Sequence, residues 1–242
     1  MEPQPRTFGK VRIAYTPQEE ALSRLASSAW QRTPLCATYL NAHNINVAHN
    51  DLRYYAALGD FQLIIPEGKG ISLAAQLLGY REFKMYHSTD LWFELLNELK
   101  GEGLRIFFVG STDTTLDTAT DRMQDEFGFK VCGRANGYSD LDDTKTLRAR
   151  IRAASPDILL IGMGVPKQEL WTVLHGASTG VPVILCVGNF LEFFAGHRAR
   201  APRWMTSIGL EWLHRLLSEP RRLWKRYILG IPLFFWRVLR VQ

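Results

Sequence analysis

The chain has 242 residues, 46% hydrophobic and 22% charged, with a formal net charge of +5. That length holds one substantial core, or one domain with an appendage, and the composition excludes a disordered polymer. Three widely spaced cysteines, Cys36, Cys132 and Cys186, exclude a disulfide framework, and no Cys/His cluster has zinc-ligand spacing.

The polar opening "MEPQPRTFGK" lacks the apolar stretch of a signal peptide, and no run reaches the roughly 18–20 apolar residues of a membrane span, so the chain is expected in the cytoplasm. "TPQEEALSRLASSAW" (16–30) predicts a helix and "LCATYLNAHN" (35–44) a strand ending in a polar cluster. "FQLIIPEGKG" (61–70) predicts a strand running into a Pro-Glu-Gly turn, followed by a helix, "ISLAAQLLG", that stops at Gly79. "DLWFELLNELKGEG" (90–103) predicts a helix capped by Asp90 and stopped at Gly101. "LRIFFVG" (104–110), "FKVCG" (129–133), "DILLIG" (157–162) and "PVILCVG" (182–188) are short apolar runs separated by helical patterns such as "DTKTLRARIRAAS" (143–155). Continuous apolar strands alternating with helices predict βαβ units and a parallel sheet covered on both faces, hence a Rossmann-like α/β fold.

The last 46 residues are a different kind of object. From His197 to Gln242 there are ten Lys/Arg against two Asp/Glu, and four of the seven tryptophans. The expected division is a Rossmann-like domain over 1–196 and a basic, aromatic helical appendage over 197–242. The end, "LWKRYILGIPLFFWRVLRVQ", is too short in its apolar part to span, and its mixture of aromatics and cations suits a lipid interface; docking on a partner subunit is the competing reading.

Ligands of an open parallel sheet bind beyond the carboxyl ends of the strands. The residues there are Asn41, His43 and Asn44; Glu67, Gly68 and Gly70; Gly110, Ser111 and Thr112; Gly162 to Glu169; and Gly188 with Asn189. In "IGMGVPKQELW" (161–171), Gly162 and Gly164 let backbone approach a ligand, Pro166 suits a helix start, and the helix N-terminus offers free N–H groups to an anion.

"GMGVPKQELW" resembles the G-x-G-x-P-K-Q-E-x-W segment of the WecG/TagA/CpsF glycosyltransferase family. "LNAHNINVA", "IIPEGKGI", "STDLW", "FFVGST" and "NGY" follow that family's order of crests and turns, and "RARAPRWMTSIGLEWLHRLLSEPRR" (198–222) resembles its tail. The similarity runs from about residue 12 to 226. It implies an inverting, metal-independent transferase, without a cofactor. The reaction it implies moves a hexose or N-acetylhexosamine-type sugar from a UDP-sugar to a polyprenyl-diphosphate-linked saccharide, on the cytoplasmic membrane face, in cell-surface polysaccharide synthesis. The partners it implies are those two substrates and an anionic membrane surface, with no nucleic acid, and it leaves room for a homo-oligomer.

On this resemblance the position of the family's aspartate base is Glu67, and Asn41 joins it as the second catalytic candidate; a solvated turn carboxylate and a strand-end cap are the competing readings. Tyr39 stands where the family pattern has a threonine. Substrate-binding candidates are Gly68, Gly70, Thr89, Asp90, Gly110, Gly137, Tyr138, Gly162, Gly164, Lys167, Gln168, Glu169 and Gly188. Gln168 offers donor and acceptor to a uracil or sugar, and Glu169 suits ribose hydroxyls. The tail arginines, Arg200, Arg203, Arg215, Arg221 and Arg222, are candidates to neutralise a leaving diphosphate. "DLD" (140–142) invites a metal reading, but it follows a turn and precedes a helix, where Asp142 or Asp143 suits an N-cap. Two rivals remain: a Rossmann dehydrogenase, which would need a complete G-x-G-x-x-G that none of the glycine pairs at 68–70, 101–103 and 162–164 supplies, and a basic nucleic-acid binder.

Overall fold

The computed structural model describes residues 5–140, 143–198, 201–202, 205 and 210–240. Six parallel strands form the central sheet: β3 (Leu35–Leu40), β4 (Leu63–Pro66), β5 (Arg105–Gly110), β6 (Lys130–Ala135), β7 (Ile158–Gly162) and β8 (Val183–Cys186), in the order β4-β3-β8-β7-β5-β6. The expected α/β architecture is therefore present. Side chains alternate across each strand. Ile106 and Phe108 of β5 point into one core, and Phe107 and Val109 into another on the opposite face.

The first face is covered by α1 (Gln18–Gln31), α5 (Ser88–Glu98), α6 (Asp113–Phe127) and α9 (Phe190–Phe194), which bury Leu25, Trp92, Leu95, Leu116 and Phe194. The second is covered by α2 (Ala42–Asn50), α3 (Leu52–Leu58), α4 (Lys69–Leu77), α7 (Thr144–Ala154) and α8 (Lys167–Thr179). Several helices begin where short polar side chains satisfy their free N–H groups: Asn41 caps α2, Asp51 caps α3, Thr112 caps α6 and Asp143 caps α7. All three cysteines are free thiols.

Two features differ from expectation. Helix α5 begins at Ser88, so Asp90 lies in its first turn and is not its cap, and the helix ends before Gly101. Residues 5–14 form an antiparallel hairpin, β1 (Pro5–Phe8) and β2 (Val11–Ala14), turning at Gly9 with φ of 61°. It buries Phe8, Val11 and Ile13, but four-residue strands carry too little pattern to be read from sequence. Of the "DLD" segment, Asp140 pairs with Arg150, while residues 141 and 142 lie outside the described part.

The tail continues as α10 (Glu211–Ser218), α11 (Pro220–Trp224), a π-helical turn (Lys225–Leu229) and α12 (Gly230–Arg240). Helix α12 lies against α2 and α4. Its Phe234 and Val238, four residues apart on one face, are both fully buried in the same core as Phe8, Ile13, Ile45 and Ile71. Arg237 donates to Asn46 O and Oδ1 and to Asn50 Oδ1, and Asn46 Nδ2 donates to Gly230 O at 2.6 Å.

Candidate active site

Strands β3 and β4 are paired in register with Leu40 opposite Pro66, so the residues that follow them, Asn41 and Glu67, emerge side by side. The Glu67 N–H donates to Leu40 O at 2.9 Å, which extends the ladder to the first residue of the turn. Asn41 Oδ1 accepts from the N–H groups of His43 and Asn44 at the start of α2, and this fixes which way the amide faces. Its Nδ2 then donates to Glu67 Oε1 at 3.3 Å. The other carboxylate oxygen, Oε2, accepts from the Ser88 hydroxyl and, at 3.2 Å, from the Ser88 N–H. Gly68, with φ of 87°, then turns the chain into α4, a conformation that a side chain would resist.

Two adjoining cavities meet at this carboxylate. They share Asn41, His43, Glu67, Thr89, Arg215 and Arg226 as common wall. The first, about 200 Å³, runs under the tail; beyond the shared wall it adds apolar surface from Met85, Trp212, Tyr227 and Ile231, and also the polar side chains of Lys69, His87 and Glu211. The second is polar and adds Tyr39, Ser88, Gly164, Val165, Asn189 and Arg222.

The charges are arranged around Glu67. Burial opposes the charge of Arg215, but Glu211 and Glu67 hold its pKa above the ordinary arginine value. Arg215 is ion-paired with Glu211, and Arg222 with Glu219. Burial, and then the Arg226 charge, push His43 down to about 4, so its imidazole is neutral near pH 7. Burial, with Glu169 and Glu67 nearby, drives the Tyr39 phenol far up, which keeps it a hydrogen-bond donor.

Of the other sequence candidates, Thr89, Gly68, Gly70, Gly164 and Arg215 line the cavities. Gly110, Gly137, Gly162 and Gly188 lie at the crests for a different reason. A Cβ on Gly110 would sit 2.4 Å from Gly162 O, one on Gly137 2.8 Å from Gly110 Cα, one on Gly162 2.8 Å from Gly188 O, and one on Gly188 2.4 Å from the Tyr39 hydroxyl. These glycines let neighbouring segments close on one another. Tyr138 is 75% exposed, and Lys167 and Arg221 are exposed outside the cavity walls. Asp90 sits on the first turn of α5, next to Thr89. Arg200 and Arg203 lie outside the described residues.

Gln168 and Glu169, expected as substrate-binding residues, are fully buried in an internal network. Glu169 Oε1 accepts from Thr38 Oγ1 at 2.8 Å and from Gln168 Nε2 at 2.7 Å, while Gln168 Oε1 accepts from the Gly188 N–H at 3.0 Å. The network ties the crests of β3, β7 and β8 together behind the polar cavity. Burial pushes the Glu169 carboxyl upward in pKa. Sequence reading gave no site role to Ser88, Trp212, Arg226 or Tyr227, although Ser88 lies in the "STDLW" motif and Trp212 among the tail tryptophans. The spacing of Arg215, Arg222 and Arg226, which suits one face of a helix, was the available signal for Arg226.

The chain is 29% identical over 189 residues (78% of its length and 72% of the relative's) to an N-acetylglucosaminyldiphosphoundecaprenol N-acetyl-beta-D-mannosaminyltransferase of Bacillus spizizenii. It is 28% identical over 204 residues, 84% of its length and 78% of the relative's, to proteins of the same name from Staphylococcus aureus strains MW2 and NCTC 8325 / PS 47. The model of the Glycosyl transferase WecG/TagA/CpsF family matches residues 6–242, and the chain belongs to that family of glycosyltransferases.

Proposed function

We propose that the enzyme transfers a hexose or N-acetylhexosamine-type sugar, N-acetylmannosamine foremost, from its UDP conjugate to a polyprenyl-diphosphate-linked saccharide, with inversion and without a metal ion. The observation that carries the reading is the position of Glu67, beside Arg215 and Arg226, on the wall common to a polar cavity, which adds Arg222, and a more apolar one. The polar cavity suits the nucleotide diphosphate, with the backbone at Gly164 and Val165 and the guanidinium groups of Arg215, Arg222 and Arg226 facing it. The apolar cavity suits the lipid-linked acceptor. In this scheme the acceptor hydroxyl gives its proton to Glu67 as its oxygen bonds to the anomeric carbon. The bond from that carbon to the diphosphate breaks on the opposite face, and the arginines take up the charge of departing UDP. A single displacement of this kind inverts the anomeric centre.

The names of the relatives support the acceptor class and the preferred sugar. Attachment to the inner membrane face is supported by the outer side of the tail. Trp224, Ile228, Leu229, Leu233, Trp236 and Leu239 are 38% to 56% exposed there, among Arg221, Lys225 and Arg240. No helix among the described residues is long and apolar enough to cross a membrane. The test is release of UDP from a panel of UDP-sugars with a GlcNAc-diphosphate-lipid acceptor in bicelles. Turnover with UDP-N-acetylmannosamine and a product of inverted anomeric configuration are expected; indifference to every UDP-sugar would overturn the proposal.

A further inference from the structure

The carboxylate of Glu67 is held from both sides, and its two restraints come from different elements. Asn41, locked by its own capping role, donates one longer hydrogen bond to Oε1. Ser88 donates two to Oε2, from its hydroxyl and from its backbone N–H. Ser88 is the first residue of α5, so the partial positive charge of a helix N-terminus adds to those two donors. The residue is 4% exposed and buried on the first turn. Its hydroxyl has no other hydrogen-bond partner among the described residues.

We propose that Ser88 is the positioning residue of this enzyme's base: by holding Oε2, it aims Oε1 of Glu67 at the acceptor hydroxyl. The inference rests on the assignment of Glu67 as base and adds the residue that sets its direction. A glutamate carries one more rotatable bond than an aspartate, and a free glutamate on a turn would sweep its carboxylate across both cavities. Two donors on one oxygen remove that freedom and leave the other oxygen, which has one hydrogen bond of 3.3 Å among the described residues, able to accept a proton. Ser88 itself touches neither the proton nor the sugar in this scheme; it acts through Glu67.

The argument predicts a coupling that mere structural support would not produce. Glu67→Asp withdraws the carboxylate by one methylene and takes it away from the Ser88 hydroxyl. The test is therefore a double-mutant cycle on the full-length protein, with UDP-N-acetylmannosamine and a GlcNAc-diphosphate-lipid acceptor. Ser88→Ala should lower kcat about 10–100-fold while the donor KM and the Kd for UDP stay within about twofold. Ser88→Thr, which keeps the hydroxyl, should retain most of the rate. In the Glu67→Asp background, Ser88→Ala should cost little further. Should Ser88→Ala lose its cooperative thermal transition, Ser88→Cys takes its place in the cycle. Equal losses from the serine change in both backgrounds, or unchanged kcat in Ser88→Ala, would overturn the proposal for Ser88. Glu67→Gln in the same assay keeps the two ideas apart: a fully active Glu67→Gln removes the base itself, whereas an inactive one beside a normal Ser88→Ala removes only the role of Ser88.

Discussion

The two faces of α12 have opposite fates, and a pair of substitutions separates them. Phe234 is fully buried against Ile71, Ile45 and the amino-terminal hairpin, and its ring lies 3.7 Å from where a Cβ on Gly70 would be. Truncation of a buried phenylalanine to alanine costs about 3–5 kcal/mol, from lost transfer energy and the cavity left behind. Against a total stability of about 5–15 kcal/mol this is a large fraction. With a urea dependence of about 2–3 kcal/mol per molar, Phe234→Ala should lower the unfolding midpoint by roughly 1–2 M. Trp236, two residues on, is 53% exposed. Trp236→Glu should leave the midpoint nearly unchanged, within about 0.5 kcal/mol. It should instead weaken binding to anionic vesicles ten- to a hundredfold, since an interfacial aromatic is worth about 1.5–3 kcal/mol of burial. The assays are urea denaturation followed by tryptophan fluorescence and sedimentation with liposomes. An unchanged midpoint for Phe234→Ala, or a drop for Trp236→Glu as large as that of Phe234→Ala, would refute this assignment of inner and outer faces. Deleting the whole tail after His197 would not make the distinction, because it strips Phe234 and Val238 from the core along with the exposed face.

Glu67→Ala should abolish turnover while UDP still stabilises the protein in a thermal-shift assay; wild-type rates would reject Glu67 as the base. Because the cations on the polar cavity are guanidinium groups, EDTA should leave turnover unchanged, and a loss restored by added Mg²⁺ or Mn²⁺ would reject the metal-independent scheme. His43 is held neutral down to about pH 4, against 6.5 for an ordinary histidine. The unfolded chain therefore binds a proton that the native state refuses. Stability from this group, complete above about pH 6.5, should be lost as pH falls towards 4, by at most about 3 kcal/mol. His43→Gln should flatten that part of a pH series of urea midpoints.

The parallel sheet and the position of its crests were legible because continuous apolar runs ending at glycine or asparagine encode strand, coverage and turn together. The meaning of the crest glycines was not. Gly162 read as an opening for a ligand, and Gly110 and Gly188 as substrate-binding candidates; their missing side chains make room for neighbouring backbone and for Tyr39. A sequence records that space is needed and not what fills it. Gln168 and Glu169 were placed correctly at a helix start, but their burial there was not legible. Their partners, Thr38 and Gly188, lie 131 and 20 residues away, and such contacts leave no local periodicity. The contact of Ser88 with Glu67 was illegible for the same reason, since it depends on α5 starting beside the turn after β4. In the tail, the mixture of aromatics and cations pointed to an interface, but the inward pair Phe234 and Val238 is indistinguishable by composition from its exposed neighbours.

In the proposed scheme the chemistry is divided between two parts of the chain that reach the site by different routes. Glu67 and the groups that hold it, Asn41 and Ser88, sit at the ends of strands and starts of helices in the central body, where packing on both faces of the sheet fixes them. The guanidinium groups that face the polar cavity, Arg215, Arg222 and Arg226, belong to α10, α11 and the π-helical turn, and that segment runs directly into α12. The docking of α12 on α2, through Phe234, Val238 and Arg237, therefore sets where the cations stand relative to Glu67. Helix α2 is also the helix that Asn41 caps, so one element carries both the amide that touches Glu67 and the surface that seats the tail. A fixed base and separately seated counter-charges suit a reaction in which proton removal and departure of a diphosphate occur at opposite sides of one carbon. The same helix that seats the cations turns its outer face to the surface where a lipid-linked acceptor would be found.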